Sequence, residues 1–239
     1  MVVFMTGGGS TASFPIKASD LEIGESVYLT VDGVETEFIV VHQGNPTSDI
    51  TIYDDSCDGT WLLMKDIYIK MAMTTSSTAS NKYAESDVHT YLNEDFYSLL
   101  DANAQNSIKD VVIPYCESTS STMQGSRGLD TKVFLLACYE LGLTSDDYTY
   151  IMDDGSKLDY FLSGTGTEAK NLRIAFYDGS TIAYRTRTAR ESNTYYMHIT
   201  AAGTYGSATY TSTTYGIRPA MVLDFDTKFD PDTKLCLGV

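Results

Sequence analysis

The residues of this chain whose types and spacing could do chemistry concentrate between positions 182 and 215. There Tyr, Ser and Thr supply 18 of 34 residues, Asp and Lys are absent, and Glu191 is the only acid. The chemistry on offer is recognition. Tyr gives rigid, amphipathic contact area at low entropic cost, while Ser, Thr, Asn and Gly supply adaptable hydrogen bonds, as in antibody-like binding surfaces. Thr and Tyr also favour exposed antiparallel strands, and composition alone leaves both readings standing. As a binding face, the segment offers Tyr184, Arg185, Thr186, Asn193, Tyr195, Tyr196, His198, Thr200, Thr204, Tyr205, Ser207, Thr209, Tyr210 and Thr213 as ligand contacts. The tyrosines would be the anchors and Arg185 the charged contact, because Tyr and Arg are enriched at interface hot spots. Arg187 and Arg218 read as structural ties to the acidic body, with Tyr215 in the same frame.

Catalytic and metal motifs are missing. Asp54-Asp55-Ser56-Cys57-Asp58-Gly59 imitates the start of a calcium loop, but the twelfth position, where a bidentate acid is needed, is Lys65. A solvated turn is the expectation. His42, His89 and His198 lie far apart with no ligand-like spacing, and Cys57, Cys116, Cys138 and Cys236 form no C-x-x-C pair. The thiols read as reduced and partly buried. No G-x-S-x-G elbow occurs, and Gly7-Gly8-Gly9-Ser10 lacks the Lys of a phosphate loop. The acid pairs Asp146-Asp147 and Asp153-Asp154 fall in polar loops, without the apolar pocket that raises a carboxyl pKa. No enzyme, cofactor or metal site is expected.

The elements that must position the segment are short. Residues 1–15 read as a flexible arm rich in Gly, Ser and Thr. Two β-rich runs flank Asp32-Gly33, a strong hairpin signal. Strands are expected at 50–53 and 60–64, closing a β-rich head over residues 16–65 with Trp61 in its core. Ser86 can cap a first helix with apolar Val88, Tyr91 and Leu92, and a second turn continues through Phe96 and Leu99. A further short helix is expected at 104–108, then a strand whose Pro114 marks an edge or an end. The apolar run 132–143 reads as strand turning into a short helix, and 145–167 as loop. This mixed order, without regular strand–helix alternation, gives the α+β class.

Two bulk properties narrow the partners. At 239 residues the chain is long enough to bury a real core, and its net charge of -16 argues against nucleic acid or anionic membrane as partner. No basic n-region precedes an apolar run at the start, and no stretch approaches a membrane span. If the protein works outside a cell, the expectation is another exit route or carriage on an assembled particle.

Tyr91-Leu92-Asn93 with Phe96-Tyr97, then Val133-Phe134-Leu135-Leu136, Arg173-Ile174-Ala175 and the closing Gly216-Ile217-Arg218-Pro219-Ala220 together resemble a family of uncharacterised phage and bacterial domains ending in the same glycine–arginine–proline–alanine strand. Some members look like the variable proteins of diversity-generating retroelements. The similarity spans roughly residues 25–223. It implies a C-type-lectin-like domain over 66–239 that displays 182–215 as a hypermutated binding face, with no calcium-dependent sugar site. In that family a tryptophan pair and then Leu-Arg-Ser-Pro precede the variable segment; here Tyr184-Arg185-Thr186-Arg187-Thr188-Ala189 stands in their place and only Arg187 matches. The lectin-like fold is shared with formylglycine-generating enzymes, whose paired C-terminal cysteines have no counterpart here, since Cys236 stands alone. The implied function is a receptor-binding display protein on a virion tail or cell surface, meeting a host-cell protein or glycan, with self-association or other virion subunits as further partners. The competitor is a structural tail or fibre subunit whose Tyr/Thr surface is buried on assembly.

Overall fold

The computed structural model describes residues 14–49, 51–75, 81–116, 123–190 and 195–239, with the backbone course alone at 123–127 and 207–210. The expected arm at 1–15 lies outside these residues except for Phe14 and Pro15.

The hairpin signal holds. Asp32 and Gly33 both take positive φ (49° and 74°) and join strands Ser26–Val31 and Val34–Gln43 in a two-residue turn. These strands begin a five-stranded sheet that continues through Thr60–Met64, Ala220–Leu223 and Val133–Phe134. Its strands bury almost every residue where the apolar runs are longest. Trp61 packs edge-on to Tyr53 and Phe134 and donates its indole N–H to the carbonyls of Gly44 and Cys57. Thr60–Met64 pairs on one side with Val34–Gln43 and on the other with Ala220–Leu223. The boundary expected between a head at 16–65 and a domain at 66–239 therefore runs through one sheet and one continuous core.

A second five-stranded sheet carries the Tyr/Thr segment, in the order Tyr205–Tyr210, Tyr195–Ile199, Tyr184–Ala189, Tyr215–Ile217, Ile69–Met71. Strands Tyr184–Ala189 and Tyr215–Ile217 run parallel; the other neighbours are antiparallel.

The expected α+β, C-type-lectin-like architecture is corrected. Strand accounts for 35% of the structure and helix for 17%, so the fold is β-rich and built from several sheets. Among the described residues the longest α-helix, Thr167–Arg173, has seven residues. Such helices are too short to lay a continuous apolar stripe on a sheet. Ser86 does cap its helix, accepting from His89 N at 3.0 Å, and the run passes from Asp87–Tyr91 through a π turn at Leu92–Phe96 to Tyr97–Leu99. Asp101 likewise caps Ala102–Ser107. Pro114 sits at a register shift in strand Val111–Cys116.

Two local expectations also fail for identifiable reasons. Residues 51–53 form a turn, because the Asp49 carboxylate accepts from Thr51 N and Asp54 caps the 3₁₀ turn Asp55–Cys57. The run 132–143 gives only the two-residue strand Val133–Phe134 before extended chain and a turn. There the Leu135 and Leu136 carbonyls accept from Arg187, not from a helical N–H four residues on.

Candidate functional site

The C-terminal sheet is a scaffold with a polar rim. Of the residues expected to contact ligand, Tyr184, Arg185, Thr186, Tyr196 and His198 are buried. Tyr184 donates its hydroxyl to Arg173 O at 2.8 Å and receives Arg218 Nη1 at 3.3 Å. Thr186 donates to Met197 O. Arg185 lies 4.5 Å over the Tyr215 ring and donates to Thr213 O, while burial pushes its guanidinium down to about 10. His198 is wedged between Tyr215, 4.6 Å away, and Gly206, where an added Cβ would fall 1.9 Å from Nε2. Burial, with Arg185 second, lowers His198 to about 4, so the ring stays neutral. These five hold the sheet together and offer no surface in this state.

The remaining candidates divide. Asn193 lies outside the described residues, as do the side chains of Ser207, Thr209 and Tyr210, whose backbone forms the edge strand. Thr200 and Thr204 are half-buried at the turn joining strands Tyr195–Ile199 and Tyr205–Tyr210, and Thr213 is exposed. Tyr195 and Tyr205 are half-buried at the rim.

The rim contains a continuous array of π faces. Tyr205 stacks on Tyr148 (centroids 5.0 Å, planes 16° apart), and Tyr148 meets Tyr150 edge-on at 5.3 Å. Arg190 then places its guanidinium 4.3 Å over Tyr150 and 5.7 Å from the Tyr195 ring. Tyr150 is 40% exposed. Offset stacks and cation–π pairs each contribute about 0.5–1.5 kcal/mol, so the row is pre-ordered before any ligand arrives. Asn81, itself fully buried, donates from Nδ2 to Arg190 O (2.8 Å) and Tyr195 O (2.7 Å) and holds the two strand ends in place. The sequence reading missed Tyr148, Tyr150 and Arg190. Tyr148-Thr149-Tyr150 repeats the composition of the 182–215 segment inside an acidic loop, and that was the available signal.

Behind the rim lies a buried charged hub. Arg187 makes a bidentate pair with Glu140, both N–O distances 2.6 Å, and donates its other N–H groups to the carbonyls of Pro114, Leu135 and Asp154. All five of its donors are used. Burial works against the charge, but Glu140 outweighs it and the guanidinium stays protonated. Tyr53 and Ala137 N complete the shell of Glu140 at 2.8 and 2.9 Å. The structural role read for Arg187 takes this form, and Arg218 ties the closing strand to Met64 O. Asp154, expected in a solvated loop, is fully buried beside this hub. All four cysteines are free and buried, and burial raises Cys57, Cys116 and Cys138 to about 12.

Among the described residues no group of three His, Cys, Asp or Glu is arranged to hold a metal ion, and no helix is long and apolar enough to cross a membrane. A β-rich domain with a buried arginine–carboxylate hub and an aromatic rim is the class these features define. The chain belongs to the family described as Domain of unknown function (DUF6273), whose model matches residues 58–225. The matched stretch opens and closes on the paired strands Thr60–Met64 and Ala220–Leu223. Neither a curated protein nor a solved structure matches the chain.

Proposed function

We propose that this domain is a binding module that meets a host-cell surface protein or glycan through its rim, displayed on a virion tail or cell surface. The observation that carries the reading is the pre-ordered row Tyr205–Tyr148–Tyr150–Arg190–Tyr195, which supplies ring faces and a cation at one edge of the sheet. Its scaffold is rigid where the buried arginines cross-link strands, and rigid anchors lower the entropic cost of association. The contact residues on this reading are the rim tyrosines, Arg190, Thr200, Thr204 and Thr213. The buried members of the sequence-derived set support them.

The test uses fluorescently labelled protein on candidate host cells and on an array of immobilised glycans. Tyr150→Ser and Arg190→Ser should each weaken binding at least about tenfold with little change in melting temperature. Unaltered binding by both variants would sink the proposal. If the gene is diversified by a retroelement, population sequencing should find substitutions at codons 195, 200, 204, 205 and 213, and none at 184, 186, 196 and 198.

A structural-subunit reading draws on one observation: strand Tyr205–Tyr210 has no further strand paired beyond it among the described residues. An open edge is a template for pairing with another chain. Light scattering separates the two, since a structural subunit would form higher oligomers that shield the rim tyrosines.

A further inference from the structure

Among the described residues Asp154 is the only carboxyl with both oxygens buried and neither meeting a donor at hydrogen-bonding geometry. Its neighbours come from three elements. Arg187 and Thr188 face it from strand Tyr184–Ala189, Glu140 and Cys138 from the turn after Val133–Phe134, and Cys116 from strand Val111–Cys116. No charged neighbour is free to neutralise it. Arg187 has committed its donors to Glu140 and to backbone carbonyls, and the Thr188 hydroxyl, which accepts from Cys138 N at 2.8 Å, keeps only its uncharged O–H to turn towards the carboxyl. One buried cation is thus shared by two buried carboxyls, and the pair with Glu140 already uses its charge.

The segment that carries Asp154 is held here by its buried residues Ile151, Met152, Asp154 and Gly155 and by a few hydrogen bonds. Residues 150–157 belong to no strand or helix. Their ties to the body include Ser156 N to Tyr53 Oη (3.0 Å), Arg187 Nη2 to Asp154 O (3.1 Å) and a weak Cys116 Sγ contact to Asp153 O. Gly155 packs so closely that an added Cβ would lie 2.7 Å from Tyr53 Oη, so the seat is tight only while the segment is fully in. A segment outside strands and helices can open locally without global unfolding.

We propose that Asp154 is a proton-operated latch, which seats the 148–157 segment when its carboxyl is protonated and releases it when the carboxyl is ionised. A neutral acid tolerates this site, whereas an ionised one, met at most by the Thr188 hydroxyl and by no spare cation, gains from rehydration, and local opening is the shortest route to water. Burial raises the carboxyl from 3.8 to about 7; Arg187 and Thr188 oppose the rise and Glu140 adds to it. The sign follows from linkage. The open segment releases its proton near pH 4 and the seated one near pH 7, so opening rises with pH across that window and levels off above it. Tyr148 and Tyr150 ride on this segment, so the latch also sets how well the aromatic row is assembled. That consequence rests on the binding function proposed above; the latch itself does not.

Hydrogen exchange of the full chain, corrected for intrinsic rate, tests the latch at pH 5, 6, 7 and 8. Peptides covering 148–157 should lose protection by up to about tenfold per pH unit between pH 5 and 7, then level off. Peptides of the 26–43 hairpin should not change. Asp154→Asn, a neutral group of the same shape, should be protected at every pH, and Asp153→Asn, the exposed neighbour, should keep the wild-type response. A flat wild-type profile overturns the latch without reference to any variant, as does the same slope in Asp154→Asn. If the slope is found but cell and glycan binding are absent, the latch stands and the binding function falls.

Discussion

Replacing Glu140 by Gln should cost far more stability at pH 5 than at pH 8. Glu140 accepts two N–H bonds from Arg187, one O–H bond from Tyr53 and one N–H bond from Ala137, all within 2.9 Å in a fully buried site. At pH 5 Asp154 is protonated, so the substitution leaves the Arg187 charge without a partner. Breaking a buried pair in this way costs about 3–5 kcal/mol. That is a large part of the ~5–15 kcal/mol that holds a typical domain together. At pH 8 the wild type already carries a penalty for ionising Asp154, since the rise from 3.8 to about 7 corresponds to about 4 kcal/mol. In the variant that same carboxylate becomes the counter-ion of Arg187, and the penalty turns into a pairing. The cost of Glu140→Gln should then fall to within about 1 kcal/mol of zero. Urea denaturation of both proteins at both pH values measures this, and comparison at equal pH removes other titrations. A cost that is the same at pH 5 and 8, or that stays below about 1 kcal/mol at pH 5, would refute the account of a single buried cation shared by two acids.

Further outcomes are expected elsewhere. His198, lowered to about 4 from 6.5 chiefly by burial, withholds a proton that the unfolded chain takes up, so its contribution is lost as pH falls from 6.5 towards 4. This slope opposes that of Asp154, so wild-type stability should vary little over this range, while Asp154→Asn should lose about 3 kcal/mol on acidification, read by urea melts. Asn81→Ala removes two donors to Arg190 O and Tyr195 O and should cost about 2 kcal/mol, with exchange protection lost first at the ends of those strands. Gly206→Ala must displace the His198 ring and should cost about 1–3 kcal/mol; much of that should return in the double variant with His198→Ala. The buried thiols should resist a disulfide reagent in native buffer, with Cys116 the first to react as pH rises through 7, because its Sγ packs on Asp153 O.

Local chemistry was readable wherever it was decided within a few residues. The positive φ of Asp32-Gly33, the Ser86 cap and the strand at 60–64 follow from turn chemistry, capping and apolar patterning. The role of Arg187 could be inferred as a tie, though its partner Glu140, 47 residues away, could not. Tyr and Thr gave the C-terminal sheet its strands but did not disclose which of its faces the rest of the chain covers. Hence Tyr184 and Tyr196, chosen as anchors, are interior, and Tyr148 and Tyr150 complete the rim from a loop set aside as polar. Asp154 illustrates the same limit. An Asp-Asp-Gly loop is normally solvated, and only the crossing of three distant elements buries its second acid. The lectin-like expectation rested on a resemblance carried by short motifs, and motifs of a few residues do not fix how much of the chain pairs into sheets.

The closing strand Ala220–Leu223 sits between Thr60–Met64 and Val133–Phe134, so it bridges partners made long before it. A growing chain has no fourth rung for its first sheet until residue 223 has left the ribosome. Until then the apolar edges of both earlier strands stay open. Such long-range closure slows folding and prolongs exposure to wrong pairings. A chain truncated just before this strand should therefore be captured by chaperones or aggregate, whereas one that extends through the buried Phe229 and Cys236 should fold.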